Sequence, residues 1–109
     1  IDFFDQRGMQ VGPVVSALRM RADAHRHEGA LDAAAADFER ALVIARKLQG
    51  DKPYSSHTGR VLASMHELHR ARDQPDEARR AAAQAAEHLG RALGPEHPDT
   101  RKALAAATP

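Results

Sequence analysis

Residues 28–48, EGALDAAAADFERALVIARKL, and residues 72–93, RDQPDEARRAAAQAAEHLGRAL, write one helical hairpin twice at an offset of about 44 residues; a period of 20 to 50 residues marks a stacked repeat protein. In the first copy Gly29 punctuates a turn, and Leu31, Ala34, Phe38, Ala41, Leu42 and Ile44 then fill one face of a helix. In the second, Asp73, Pro75, Ala78, Ala82, Ala85 and Ala86 stand at the matching places, and Asp76-Glu77-Ala78 opens the helix. The spacing survives although most side chains differ.

Working outward, the apolar periodicity predicts five helices. The first covers 14–27, with Val14, Val15, Leu18 and Ala22 at helical spacing behind Gly12-Pro13, since proline suits a first helical turn. The second covers 30–48 on a stripe of Leu31, Ala34, Phe38, Ala41, Leu42, Ala45 and Leu48, with Gly50 beyond its end. Ser55 or Ser56 caps the third, which carries Val61, Leu62, Met65, Leu68 and His69 on one side. The fourth covers 75–93 and stops at Gly94-Pro95; Asp99 or Thr100 opens a fifth over 101–107.

Composition narrows the class. A chain of 109 residues is one domain with little spare length for a core. There is no cysteine, which excludes disulfides and thiolate metal sites. Roughly a fifth of the residues are alanine and only three Phe and one Tyr are aromatic, which suits closely approaching helices better than sheets. A net charge of +1 gives no overall pull toward nucleic acid or membrane. No apolar run reaches the length of a membrane span and no export signal opens the chain, so a cytoplasmic protein is expected. Thirteen arginines against three lysines suggest a GC-rich bacterial source, and the start at Ile1 reads as that of an excerpt or a processed product.

Gly29 with Ala34, Phe38 and Ala41, the Asp76-Glu77-Ala78 opening, and above all Leu93-Gly94-Pro95-Glu96-His97-Pro98-Asp99-Thr100 resemble the tetratricopeptide repeat, in the longer form found in kinesin light chains and many bacterial regulators. The octapeptide is similar to that form's linker between repeats. Arg21 and His66 stand where the family places an apolar or small residue, and Ala82 where it places a large aromatic. The resemblance implies an all-α fold of antiparallel helical hairpins stacked as a right-handed solenoid of about two and a half units. It divides the chain into an arm or remnant of a preceding helix over 1–13 and the repeats over 14–107.

The resemblance also implies a function: a non-catalytic protein–protein interaction module, part of a larger bacterial protein. The family's inward positions carry over to Ser16, Arg19, Asp23, Arg26 and His27 in one unit and to Arg60, Ala63, Glu67 and Arg70 in the next. Arginine forks onto carboxylates with paired hydrogen bonds, so an acidic peptide or a C-terminal carboxylate fits such a trough. Asp23 stands where chaperone-binding relatives have asparagine, and the chain has no asparagine at all; a chaperone-tail clamp is not expected. The alternative for these arginines is pairing along their own helices, Arg19 with Asp23 for instance, which merely solvates the surface. An effector-sensing segment of a bacterial transcriptional regulator is the other functional alternative, beside self-association.

Both ends invite company. Stepping back one period from Leu48 lands on Phe4, beside Phe3, and the fifth helix presents Ala103, Leu104 and Ala107 with no following partner. Repeat arrays usually need three units and polar caps, so Phe3, Phe4 and Leu104 form an expected self-association surface for a homodimer. Burying a Leu or Phe is worth roughly 1.5–3 kcal/mol and an alanine methyl far less, so the alanine-built second hairpin is expected to be the weaker.

Other chemistry finds little support. His66 and His69 flank Glu67 three residues apart, short of the H-E-x-x-H zinc spacing, and His25 with His27 cannot share an ion on one helix. A packed pair against the neighbouring helix is the expectation for His66 and His69. Ser55-Ser56-His57 reads as a helix cap rather than a nucleophile with its base. Gly8 and Gly12 lack the flanks of a phosphate loop, and Arg79, Arg80, Arg91 and Arg101 lack interleaved aromatics for nucleic acid. No catalytic residue, metal, cofactor, nucleic acid or membrane partner is expected.

Overall fold

A computed structural model describes residues 11–108. Five helices follow in order: α1 Val11–His27, α2 Leu31–Gln49, α3 Ser56–Ala71, α4 Pro75–Leu93 and α5 Pro98–Ala107. No strand occurs among the described residues. Phe3, Phe4 and the rest of the expected arm before Val11 lie outside them.

The hairpin turns explain the period. At the end of α1, Gly29 takes φ 81°; its N–H donates to the Arg26 carbonyl at 3.0 Å and the Ala30 N–H to the His25 carbonyl at 2.8 Å. This is the two-bond Schellman closure, which needs a left-handed residue. At the end of α3, Asp73 at φ 58° stands in the glycine's place. Its N–H donates to the Arg70 carbonyl at 3.0 Å and that of Gln74 to the His69 carbonyl at 2.9 Å. The same turn is thus closed twice, once with the residue type that suits it and once without.

Two helix starts differ from expectation. α1 begins at Val11, so Pro13 lies inside its first turn, where no intrahelical donor is lost. α5 begins at Pro98 and is capped by His97, whose Nδ1 accepts from the Asp99 N–H at 3.1 Å, rather than by Asp99 or Thr100. Ser55 caps α3 by accepting from the Thr58 N–H at 3.3 Å.

Helices α1, α3 and α5 lie side by side in one layer, and α2 and α4 back them as the second members of the hairpins. The slab measures 43 × 33 × 19 Å, and its thin dimension is that of two helix layers. Phe38 is the fully buried centre of the first hairpin, among Val15, Ala22, Ala34, Ile44, Val61 and Leu68. Leu89 is its counterpart in a second cluster with Leu62, Ala85, Ala86 and Ala103. Leu48, expected in the stripe of α2, is 41% exposed.

Facing positions in the two hairpins have exchanged volume. Val15 on α1 and Ala45 on α2 are both buried; one period on, these places hold Gly59 on α3 and Leu89 on α4. A Cβ on Gly59 would lie 2.8 Å from the Leu89 Cγ, so the glycine is what lets the leucine in. Likewise Ala22 facing Phe38 becomes His66 facing Ala82. The exchange of Val and Ala for Gly and Leu keeps the pair's volume while changing its shape, which cores tolerate best; histidine is smaller than phenylalanine, so the other exchange gives up some bulk. The second hairpin is therefore closely packed about Leu89 rather than built of alanine alone.

A charge pair also distinguishes them. Asp37, buried on α2, accepts two bonds from Arg21 on α1, at 2.7 Å from Nε and 2.8 Å from the terminal nitrogen. These bonds hold its carboxyl below the usual carboxylate range, against the opposing effect of burial, with Arg21, His25 and Arg40 charges assisting. The equivalent places in the second hairpin are Met65 and Ala81.

Candidate functional site

The face carried by α1, α3 and α5 is concave and holds a cavity of about 380 Å³. Arg19, Asp23 and Arg26 stand on its α1 side, Asp99 and Lys102 on its α5 side, and Ala82 and Leu89 of α4 line it from the second layer. Helix α3 runs between, contributing Arg60, Ala63, Ser64, His66 and Glu67. These residues share one face because they recur at three- and four-residue steps along each helix. A second cavity of about 410 Å³ continues the trough past His66 and Glu67 toward Arg70, Arg79 and Thr108.

Of the positions expected to face inward, Arg19, Asp23, Arg26, Arg60, Ala63 and Glu67 line the first cavity and Arg70 the second. Ser16, half-buried, and His27, exposed, line neither. Sequence reasoning missed Asp99 and Lys102. The segment 94–97 between α4 and α5 is two residues shorter than 50–55 between α2 and α3, so one period on from Arg60 falls on Leu104. The signal that corrects this is threonine: Thr58 and Thr100 are both 1% exposed near the starts of α3 and α5, and that shorter step takes Arg60 to Lys102.

Charges in the trough are partly paired. Arg60 Nε reaches Asp99 Oδ2 at 3.2 Å, tying α3 to α5. Asp23 lies 3.8 Å from Arg26, not with Arg19 as expected from helical spacing. Among the described residues Arg19 and Lys102 make no ion pair and the buried Nε of Arg26 has no hydrogen-bond partner.

His66, His69 and Ser55 have structural partners. His66 Nδ1 lies 2.9 Å from the Ala78 carbonyl oxygen and His69 Nδ1 lies 2.9 Å from Gln74 Oε1; both rings face the neighbouring helix as expected. Among the described residues no three His, Asp or Glu side chains gather as a metal site would require. The Ser55 N–H donates to His88 Nδ1 at 3.1 Å, which ties the α2–α3 connection to α4 and requires a bare nitrogen there. Burial pushes the His88 imidazole below its ordinary range, with Arg46 assisting and Glu87 opposing. Its ring meets Tyr54 edge-on at 5.8 Å, and Arg91 lies over Tyr54 at 5.5 Å.

No described helix is long and apolar enough to cross a membrane. Residues 61–99 match the family model described as tetratricopeptide repeat. The match begins within α3, takes in all of α4 and ends in the first turn of α5, so the likeness covers most of the second hairpin and its linker. No curated protein and no solved structure matches the chain.

Proposed function

We propose that the concave face of α1, α3 and α5 holds an extended, acidic segment of a partner protein and performs no chemistry on it. The observation that carries this reading is the pair Arg19 and Lys102, cations without ionic partners among the described residues, on helices either side of α3 and beside the apolar Ala82 and Leu89. Charge on two sides fixes the direction of a bound segment while apolar contacts supply affinity. The longer repeat form and a bacterial parent protein complete the reading, on the linker octapeptide and the excess of arginine over lysine respectively.

The test is a fluorescence anisotropy titration with a labelled glutamate-rich peptide. Wild-type protein binds it with an affinity that falls as salt rises, and Arg19→Glu with Lys102→Glu weakens it at least about tenfold with helicity unchanged. An unaltered affinity in that double variant contradicts the reading. Self-association is the second reading, favoured by Leu104, which is 49% exposed on α5; Leu104→Glu would then lower the mass seen by light scattering.

A further inference from the structure

The two cavities of the trough meet at His66 and Glu67, which line both. His66 is 7% exposed. A carbonyl oxygen can only accept, so the bond to Ala78 fixes the proton of the neutral ring on Nδ1. Its Nε2 is then a bare acceptor, and Glu67 Oε1, another acceptor, lies 4.0 Å from it. Glu67 forms no other ion pair among the described residues. Neither acceptor can donate to the other, so they share no hydrogen bond directly. They are close enough for one nitrogen with two N–H groups to donate to both at about 3 Å.

From this geometry we infer that His66 and Glu67 form a subsite for a cationic side chain, a lysine or arginine of the docked segment. The inference rests on the peptide-groove reading above and refines it: the partner segment is acidic toward Arg19 and Lys102 and carries one basic residue between. Arginine-lined walls would repel an isolated basic peptide, so the cation is recognised only within an acidic surround. The buried, oriented imidazole supplies direction, since Nδ1 is already engaged and the ring cannot turn without losing the Ala78 bond.

Three synthetic peptides separate the outcomes at about pH 8, where an ordinary imidazole is neutral: a glutamate-rich host with a central lysine, the same host with norleucine there, and the same host with glutamate there. The subsite predicts that the lysine peptide binds about tenfold tighter than the norleucine peptide. It predicts that Glu67→Gln, nearly isosteric, brings the ratio of the lysine and norleucine affinities down to about one. It also predicts that nitrogen-15 spectra of the free protein show His66 with a bare Nε2, whose resonance moves when the lysine peptide is added. Equal binding of the lysine and norleucine peptides overturns the subsite and leaves the groove standing. A lysine preference that survives Glu67→Gln, or a ring already protonated on both nitrogens in the free protein, overturns it too. Failure of all three peptides to bind overturns the groove and the subsite together.

Discussion

The first hairpin centres a phenylalanine on its second helix, Phe38, and braces it with a bidentate ion pair, Arg21 with Asp37. The second has neither. It sets Leu89 against Gly59 and a buried histidine against an alanine, and its turn is closed by Asp73 instead of Gly29. The backbone nevertheless repeats closely: α2 and α4 each run 19 residues to a left-handed glycine, at Gly50 and Gly94. What the fold specifies is the spacing of contacts and the volume shared across each helix pair, not which helix supplies the bulk. Function enters through this freedom, because moving bulk from Phe38 to His66 brings a ring nitrogen to the trough and leaves Ala82 lining it.

The largest way to break the comparison is to remove the first hairpin's anchor. Phe38→Ala is expected to cost about 3–5 kcal/mol, seen as a lower denaturant midpoint, because nothing around it collapses to refill the space. If it costs no more than a surface substitution, Phe38 is not the centre of that hairpin.

Acidification should separate the hairpins in order. His88 has a lowered folded-state pKa, so the stability contributed by its neutral form is complete above the ordinary imidazole value of about 6.5. It is lost as pH falls through the lowered value. Asp37 is lowered from an ordinary 3.8, so its contribution is complete above that value and is lost only as pH falls below it. Hydrogen exchange followed downward from neutral pH should therefore show the connection at Ser55 and the end of α4 loosening first. The α1–α2 pair should loosen last. Loss of protection in the opposite order contradicts both assignments.

The smallest effects lie in the turns. Gly29→Ala should lose about 1 kcal/mol and Asp73→Gly gain about 0.5 kcal/mol, since both residues are left-handed and only glycine adopts that geometry freely. Nothing lies within 4 Å of a Cβ built on Gly29, so its change in thermal midpoint reports the backbone alone. Matching signs for the two substitutions would mean that the turns are not equivalent.

Much of this was legible in the sequence. The 44-residue period, with Gly29, Gly50, Pro75 and Gly94 as punctuation, sets α2 and α4 to within a residue of their ends, because turn chemistry acts locally. The groove positions on α1 and α3 were carried over from the resemblance to the repeat family, and seven of those nine residues line a cavity. Asp99 and Lys102 were not, because a shorter linker shifts the register of α5. The Arg21–Asp37 pair was also hidden, since its members lie 16 residues apart on different helices and only the packing brings them together. Thr100 carries a related trace of the repeat. Thr58 Oγ1 donates to Gln49 Oε1 at 2.9 Å, whereas the buried Thr100 Oγ1 has no partner among the described residues; Leu93 stands where its glutamine would be.

The exchange of volume between facing helices is tested most directly by a double-mutant cycle that rebuilds the first hairpin's pair in the second. Gly59→Val and Leu89→Ala are each expected to destabilise, the one by collision and the other by leaving a void. Together they reproduce Val15 facing Ala45, and the double variant should be more stable than the sum of the single losses by about 1–3 kcal/mol. Simple additivity of the two losses, to within about 0.5 kcal/mol, would contradict the claim that the two hairpins are one design with its bulk exchanged.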